Sequence, residues 1–358
     1  MSIGSYLNTA IRTVHSVPSP PVVGSDGGLY RRAIHFRPPA VGPYDVSDRE
    51  PTSVLLPTTE WSPVCEQLRA GLAEGDELLV LCDTEADPVA CRDTPDGVEV
   101  VVAGEPEGCS GKANALAAGM QRAENDRFVW TDDDFDRSPG WLDRLVTESR
   151  RHGPTTLLPE FVGGGWWHLA KPALLQVLVV RTLLVERRGD GEAFPWGGGV
   201  AFGRSDLESG VDALVADLRR CLSDDLVLDD HLRRCRRDPE LDATVAVDGD
   251  LKSVSDRLLR YFRADHVHKD GGLTAEFALW CPVAAAAVLA PLPAAVAATA
   301  AVGVALSAAG QLRWHAALAY PAVLLVPLLL AVGMVVTDVE WAGRRYRVTD
   351  DGVEVVTR

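Results

Sequence analysis

Residues 128–135 read FVWTDDDF, an apolar run that ends in three consecutive carboxylates. Phe128, Val129 and Trp130 favour a pleated, buried strand, and Asp132, Asp133 and Asp134 follow at once. Adjacent like charges repel, so a folded chain keeps such a cluster only where water or a cation neutralises it. Two arrangements satisfy that condition: a solvated acidic turn, or a metal site at the carboxyl end of a strand.

Composition alone does not choose between them. The chain carries 51 acidic residues against 35 basic ones, with a net charge of −16, and only 4 of its cations are lysines. At its Asp frequency a D-x-D triplet arises by chance about three times. An Asp-rich, Lys-poor surface suits high salt, where screening makes self-repulsion tolerable. It also excludes nucleic acid as a partner, since phosphate binding needs a basic face. The 7 cysteines form no CxxC pair and are odd in number, which points to reduced thiols in a cytoplasmic compartment.

Outward from the triplet, strand and helix signals alternate. Ser53–Leu56 is a short apolar strand; Ser62 and Pro63 read as N-cap and first position of a helix running to about Leu72. DELLVLCD ends a continuous apolar strand on Asp83, VEVVVAG covers 98–104, and GKANALAAGMQRA makes a helix over 111–123 before FVWT. Strands apolar on both faces, separated by helices, imply an α/β domain with a mostly parallel sheet and helices on both faces. Ligands of such sheets bind beyond the carboxyl ends of the strands. Pro57, Asp83 and Asp132–Asp134 all fall there, which raises the metal site above the acidic turn.

The last third differs in kind. Phe277–Leu306 contains no charged residue, and Ala316–Thr337 is a second uncharged run. Each exceeds the roughly 20 residues that a bilayer core requires, and Pro282, Pro291 and Pro293 kink the first run or split it into a re-entrant pair. Arg344, Arg345 and Arg347 follow the second run, so the positive-inside tendency places the tail, and with an even number of spans the large domain, in the cytoplasm. The expected organisation is an extension over 1–50 with a short amphipathic helix near Tyr6–Val14, a catalytic domain over 51–268, a membrane region of about two helices over 269–337, and a cytoplasmic tail over 338–358. No signal peptide is visible in residues 1–20. Trp166, Trp167 and the apolar run 169–188 fit a helix lying on the bilayer, or a core helix of the domain.

The series SVLLPTTE, LLVLCDTEADP, GKANAL, FVWTDDDF, WGGGVAFGRSDL, LSDDLVL and SVSDRLLRYFRADH resembles, in order, the blocks of family 2 glycosyltransferases, more narrowly the ceramide glucosyltransferase-like and hopanoid-type lipid glycosyltransferases. The resemblance covers about 53–348. It implies a GT-A nucleotide-diphospho-sugar transferase fold followed by transmembrane helices, and transfer of a hexose from a UDP- or GDP-linked donor to a lipid acceptor. It assigns Pro57, Asp83, Lys112, Asn114 and Asp132 to the donor, and Asp132 with Asp134 to Mg²⁺ or Mn²⁺, which hard carboxylate oxygens suit. Asp133 then faces the opposite side by strand alternation.

Attack of a hydroxyl needs a carboxylate within hydrogen-bond reach, and the family's (S/A)-(E/D)-D block places that base on Asp225. Asp229 and Asp230 offer a second pair a few residues on. The family's (Q/R)-x-x-R-W block falls on Arg260 and Arg263, with Ala264 where the Trp belongs; the alternative register Arg257-x-x-Arg260-Tyr261 restores an aromatic but breaks the upstream match. Arginine forks suit a diphosphate. The FPWGGG loop at 194–199 places Trp196, Gly197 and Gly198 at the acceptor. Two alternatives stay open: a polyprenyl (dolichyl) phosphate sugar synthase, and a non-catalytic glycosyltransferase-like membrane protein.

Overall fold

The computed structural model describes residues 50–184, 192–269, 272–350 and 352–357. The expected helix near Tyr6–Val14, the rest of the leader to 49 and the end of the 169–188 run lie outside the described residues.

Among the described residues the central sheet has seven strands in the order β3-β2-β1-β4-β7-β5-β8. Strands β1 (Thr52–Pro57), β2 (Glu77–Cys82), β3 (Val98–Val102) and β4 (Arg127–Thr131) run parallel. β7 (Gly199–Gly203) runs antiparallel between β4 and β5 (Thr155–Thr156), and β8 (Arg236–Arg237) pairs parallel to β5, while β6 (Pro159–Val162) and β9 (Ala243–Ala246) form a separate parallel pair. The α/β, mostly parallel architecture is thus the observed one.

Alternation along each strand divides the core between two faces. Leu55, Leu79, Leu81, Phe128 and Trp130 pack with α2 (Gly111–Arg122) and α5 (Gly210–Leu218). Val54, Leu56, Leu78, Val80 and Val129 pack with α1 (Pro63–Ala70) and α3 (Trp141–His152). This is why the strands read as unbroken apolar runs. Ser62 caps α1 by accepting from the Val64 N–H, with Pro63 in the first turn, as the sequence indicates. In α2, Gly119 sits directly on Leu81 and Leu55, and a side chain there would collide with both.

The uncharged run 277–306 is broken at Ala290. Helices α8 (Leu273–Leu289) and α9 (Pro291–Ala308) meet there, with Pro291 opening the second. α10 (Ala319–Val335) follows a 3₁₀ turn at Trp314–Leu318. Two stretches, Pro291–Ala308 and Trp314–Val335, are long and apolar enough to cross a membrane. Their apolar side chains are widely exposed, Leu292 and Val335 by 80% and 76%. α4 (Trp167–Leu184) and α7 (Leu251–His268) join α8 and α10 in one apolar cluster through Ala173, Val177, Leu258, Phe262, Trp280 and Val326.

The segment after α10 is no loose tail. Strands β10 (Asp338–Trp341), β11 (Arg344–Thr349) and β12 (Gly352–Thr357) form an antiparallel sheet. Its inner residues Val339, Tyr346 and Val348 pack with Leu222 and Ala264 of the α/β unit.

Candidate active site

The carboxyl ends of β1, β2 and β4 open on one side of the sheet, and the acidic triplet stands at the end of β4. Its three members part company. Asp133 accepts from the Thr58 hydroxyl at 2.6 Å, toward β1. Asp132 pairs with Lys112 at 2.8 Å. Asp134, though exposed on one side, has no hydrogen-bond or ion-pair partner among the other described residues, and loss of water on its protein-facing side together with Asp132 pushes its carboxyl above the usual carboxylate range.

Lys112 gathers the site. Standing at the start of α2, its ammonium meets Asp132 and also Asp224, at 3.0 Å. Burial works to lower its pKa, but Asp132, Asp224 and Asp225 outweigh it and hold the amine charged. Asp224 and Asp225 open α6 (Asp224–His231), where helix N-terminal N–H groups favour carboxylates. Asp224 is buried. Asp225 accepts from the Gly197 N–H at 2.6 Å. Its carboxyl is pushed up to about 7, first by burial and then by Asp224, against the opposing pull of Lys112 and the Gly197 N–H.

The 194–199 loop ties the two acidic ends together. Gly198 O accepts from the Asp132 N–H at 3.2 Å and from the Thr131 hydroxyl at 3.2 Å. Trp196 packs on Phe135 with ring centroids 5.4 Å apart. Both Gly197 and Gly198 are required by close approach. A Cβ at the first would strike the Asp224 and Asp225 carboxylates, and at the second the Trp196 ring and Asp132.

The other expected residues take several positions. Pro57 ends β1, with Thr58 bonded to Leu81 O at 2.9 Å. Asn114 is buried; its amide donates to Gly104 O at 2.7 Å and accepts from Arg219, so it fastens the 104–109 loop instead of facing a ligand. Arg263 corrects the motif match in the same way. Its guanidinium donates to Val348 O at 2.8 Å and Met334 O at 3.0 Å, pinning the C-terminal sheet, and it is not brought to the acidic cluster. Among the described residues Arg260 makes no ion pair with Asp225; its guanidinium stacks on Trp341 at 4.4 Å, an aromatic from β10. Asp230 is exposed and pairs with His268 at 2.9 Å, away from Lys112.

Sequence reading missed Arg137, Asp224, Tyr346 and the pairing of Arg344. Arg137 lies under the triplet, donating to Asp132 O, to the Thr131 hydroxyl and to Phe135 O while stacking 3.9 Å from the Phe135 ring. A single cation directly after DDDFD is the signal that could have marked it. Arg344 donates to Asp83 at 2.5 Å and to Glu105 at 3.1 Å.

No family model matches the chain, and no curated protein matches it. Among solved structures, glucosyl-3-phosphoglycerate synthase from Mycobacterium tuberculosis in complex with Mn²⁺, uridine-diphosphate-glucose and phosphoglyceric acid is 20% identical, over 45% of this chain and 59% of that one, with a TM-score of 0.33. The same synthase in complex with uridine-diphosphate is 21% identical over 59% and 77%, with a TM-score of 0.38. A mycobacterial protein is 17% identical over 62% and 76%, with a TM-score of 0.39. Likeness of this degree is partial and carries no weight for activity, which has to be read from the chain's own side chains.

Proposed function

We propose that the chain is a membrane-anchored, inverting glycosyltransferase that moves a hexose from a nucleotide-diphospho-sugar, UDP- or GDP-linked, to a lipid hydroxyl at the cytoplasmic face of the cell membrane. The observation that carries this reading is the meeting of Lys112, Asp132, Asp224 and Asp225 at the carboxyl end of a parallel sheet. A buried cation beside a strand-end carboxylate pair, with a raised-pKa carboxylate held by a glycine-rich loop, suits displacement of a diphosphate by a hydroxyl.

In that displacement the acceptor oxygen forms a bond to the anomeric carbon while the bond from that carbon to the diphosphate breaks. Asp225 takes the acceptor's proton; its raised pKa makes it a competent base near neutral pH. Gly197 N–H holds the receiving carboxylate, and Trp196 shields the same loop. Asp83 accepts hydrogen bonds from the base or ribose of the donor. Lys112 offsets the charge of Asp132 and Asp224, so that an anionic donor can approach.

Asp132 and Asp134 fit Mg²⁺ or Mn²⁺. They are hard oxygen donors at one strand end, and Asp134, which has no hydrogen-bond or ion-pair partner among the other described residues, is repelled by Asp132. Among the described residues no group of three liganding side chains converges, so the donor's phosphates and water would have to complete the set. The ion would stabilise the departing diphosphate.

Membrane attachment is supported by the exposed apolar helices. Arg344 reaches Asp83 and Arg263 reaches Val348, so the α/β unit and the C-terminal sheet share one compartment. An even number of crossings follows, supplied by Pro291–Ala308 and Trp314–Val335. The shorter Leu273–Leu289 then lies at the surface of the bilayer, where its Glu276 pairs with Arg181 at 2.6 Å.

The test is hydrolysis of a panel of sugar nucleotides by the detergent-solubilised protein in high salt, with Mn²⁺, Mg²⁺ or chelator. Slow release of one nucleoside diphosphate is expected, lost with chelator and lowered about 100-fold or more by Asp134→Asn. No release from any donor, with no donor-induced shift in melting temperature, would leave a non-catalytic membrane protein and make FVWTDDDF a solvated turn.

A further inference from the structure

The C-terminal sheet lies beyond the last apolar helix in the chain, yet two of its side chains reach the loops at the carboxyl end of the central sheet, Arg344 at Asp83 and Tyr346 at Gly111. Strand β11 alternates: Arg344, Tyr346 and Val348 face inward, while Arg345 and Arg347 face solvent. Inward-facing Arg344 is 8% exposed and forks between carboxylates of two different loops, Asp83 after β2 and Glu105 after β3. Two turns of contact fasten it there. The Tyr346 hydroxyl accepts from the Gly111 N–H at 3.1 Å, at the residue before Lys112. Gly111 itself has no room for a side chain, because a Cβ would lie against the Arg344 guanidinium. On the other flank, Trp341 of β10 covers Arg260.

One group is left over. The Nε of Arg344 is buried and meets no acceptor among the described residues. A buried donor without a partner loses the hydrogen bond that water gives it in the unfolded chain, so such atoms are uncommon unless a ligand meets them. The pairing also explains the residue type. A guanidinium meets two carboxylates at once and keeps a third donor free, which an ammonium on a flexible stem does less well.

We propose that the C-terminal sheet is a wall of the nucleotide pocket and that Arg344 is a donor-positioning residue. It holds the Asp83 carboxylate in orientation, and its free Nε–H takes an acceptor oxygen of the nucleoside. The inference rests on the glycosyltransferase reading above and adds to it a pocket that is incomplete until the chain beyond the membrane helices has folded back. Membrane insertion and donor binding are thereby linked.

The test uses the full-length protein in detergent, with UDP and GDP as probes in the presence of Mn²⁺. Dissociation constants are read by calorimetry well below each variant's melting temperature. Arg344→Gln should weaken binding of the preferred nucleotide at least tenfold, and Arg344→Lys about fivefold, since the charge is kept and the fork is lost. Arg347→Gln, on the solvent face of the same strand, should bind as the parent does. Asp83→Asn combined with Arg344→Gln should bind no more weakly than the worse single variant, because the two act as one unit. If Arg344→Gln and Arg344→Lys bind within twofold of the parent, Arg344 is only a fastener of the sheet and the proposal falls. If the parent binds neither nucleotide, the glycosyltransferase reading falls first and this inference with it.

Discussion

Asp225→Asn should leave nucleotide binding within about threefold of the parent and lower kcat by about three orders of magnitude, within the range that general-base catalysis supplies. The substitution is nearly isosteric. Its Oδ1 still accepts from Gly197 N–H, so the glycine loop and Trp196 keep their places. What is lost is the ability to take a proton.

The parent should carry the same signature in its pH profile. The base works ionised, and the Asp225 carboxyl titrates near 7. Its kcat/KM should therefore be flat above that value and fall about tenfold per unit below it. A variant that keeps more than a tenth of the parent rate would remove Asp225 from the chemistry. It would favour a polyprenyl phosphate acceptor, which is anionic already and needs no base.

Lys112→Met should lower the melting temperature by roughly 10 °C and prevent donor binding. Lys112 is the cation shared by Asp132 and Asp224, and both ion pairs are shielded from solvent. Removing one partner of a buried pair costs about 3–5 kcal/mol, because the charges left behind cannot rehydrate; for a unit of this size each kcal/mol moves the transition by about 2–4 °C. The variant also bears on Asp225, whose pKa Lys112 holds down. Any residual activity should therefore need a higher pH than the parent's. A melting temperature within 2 °C of the parent would mean that solvent or bound cations already neutralise the cluster and that Lys112 is not its keystone.

The two variants also separate chemistry from architecture. Asp225→Asn is expected to fold, bind and fail to turn over. Lys112→Met is expected to weaken the pocket itself. Their measured effects should not add, since both act on one group of charges.

The parallel sheet and its helices were legible in the sequence because their causes are local. Unbroken apolar runs such as ELLVLC require burial on both faces, and Ser62-Pro63 marks a helix start by capping chemistry alone. The acidic triplet was legible for the same reason, as was its place at a strand end. The apolar helices could be seen in composition, and Pro291 marked where the first long run breaks.

Side-chain destinations were not legible. Lys112 and Asn114 stand two residues apart on one helix, yet one faces the acidic cluster and the other fastens a loop. Arg260 and Arg263 come from one motif, but the first stacks on Trp341 and the second is held by backbone carbonyls of the C-terminal segment. Arg344 reads in the sequence as one more basic residue after a membrane span, and it meets Asp83 from 261 positions away. Near neighbours dictate backbone shape through propensity, periodicity and caps. Which charge meets which is decided by how finished elements pack, and that information is spread over the whole chain.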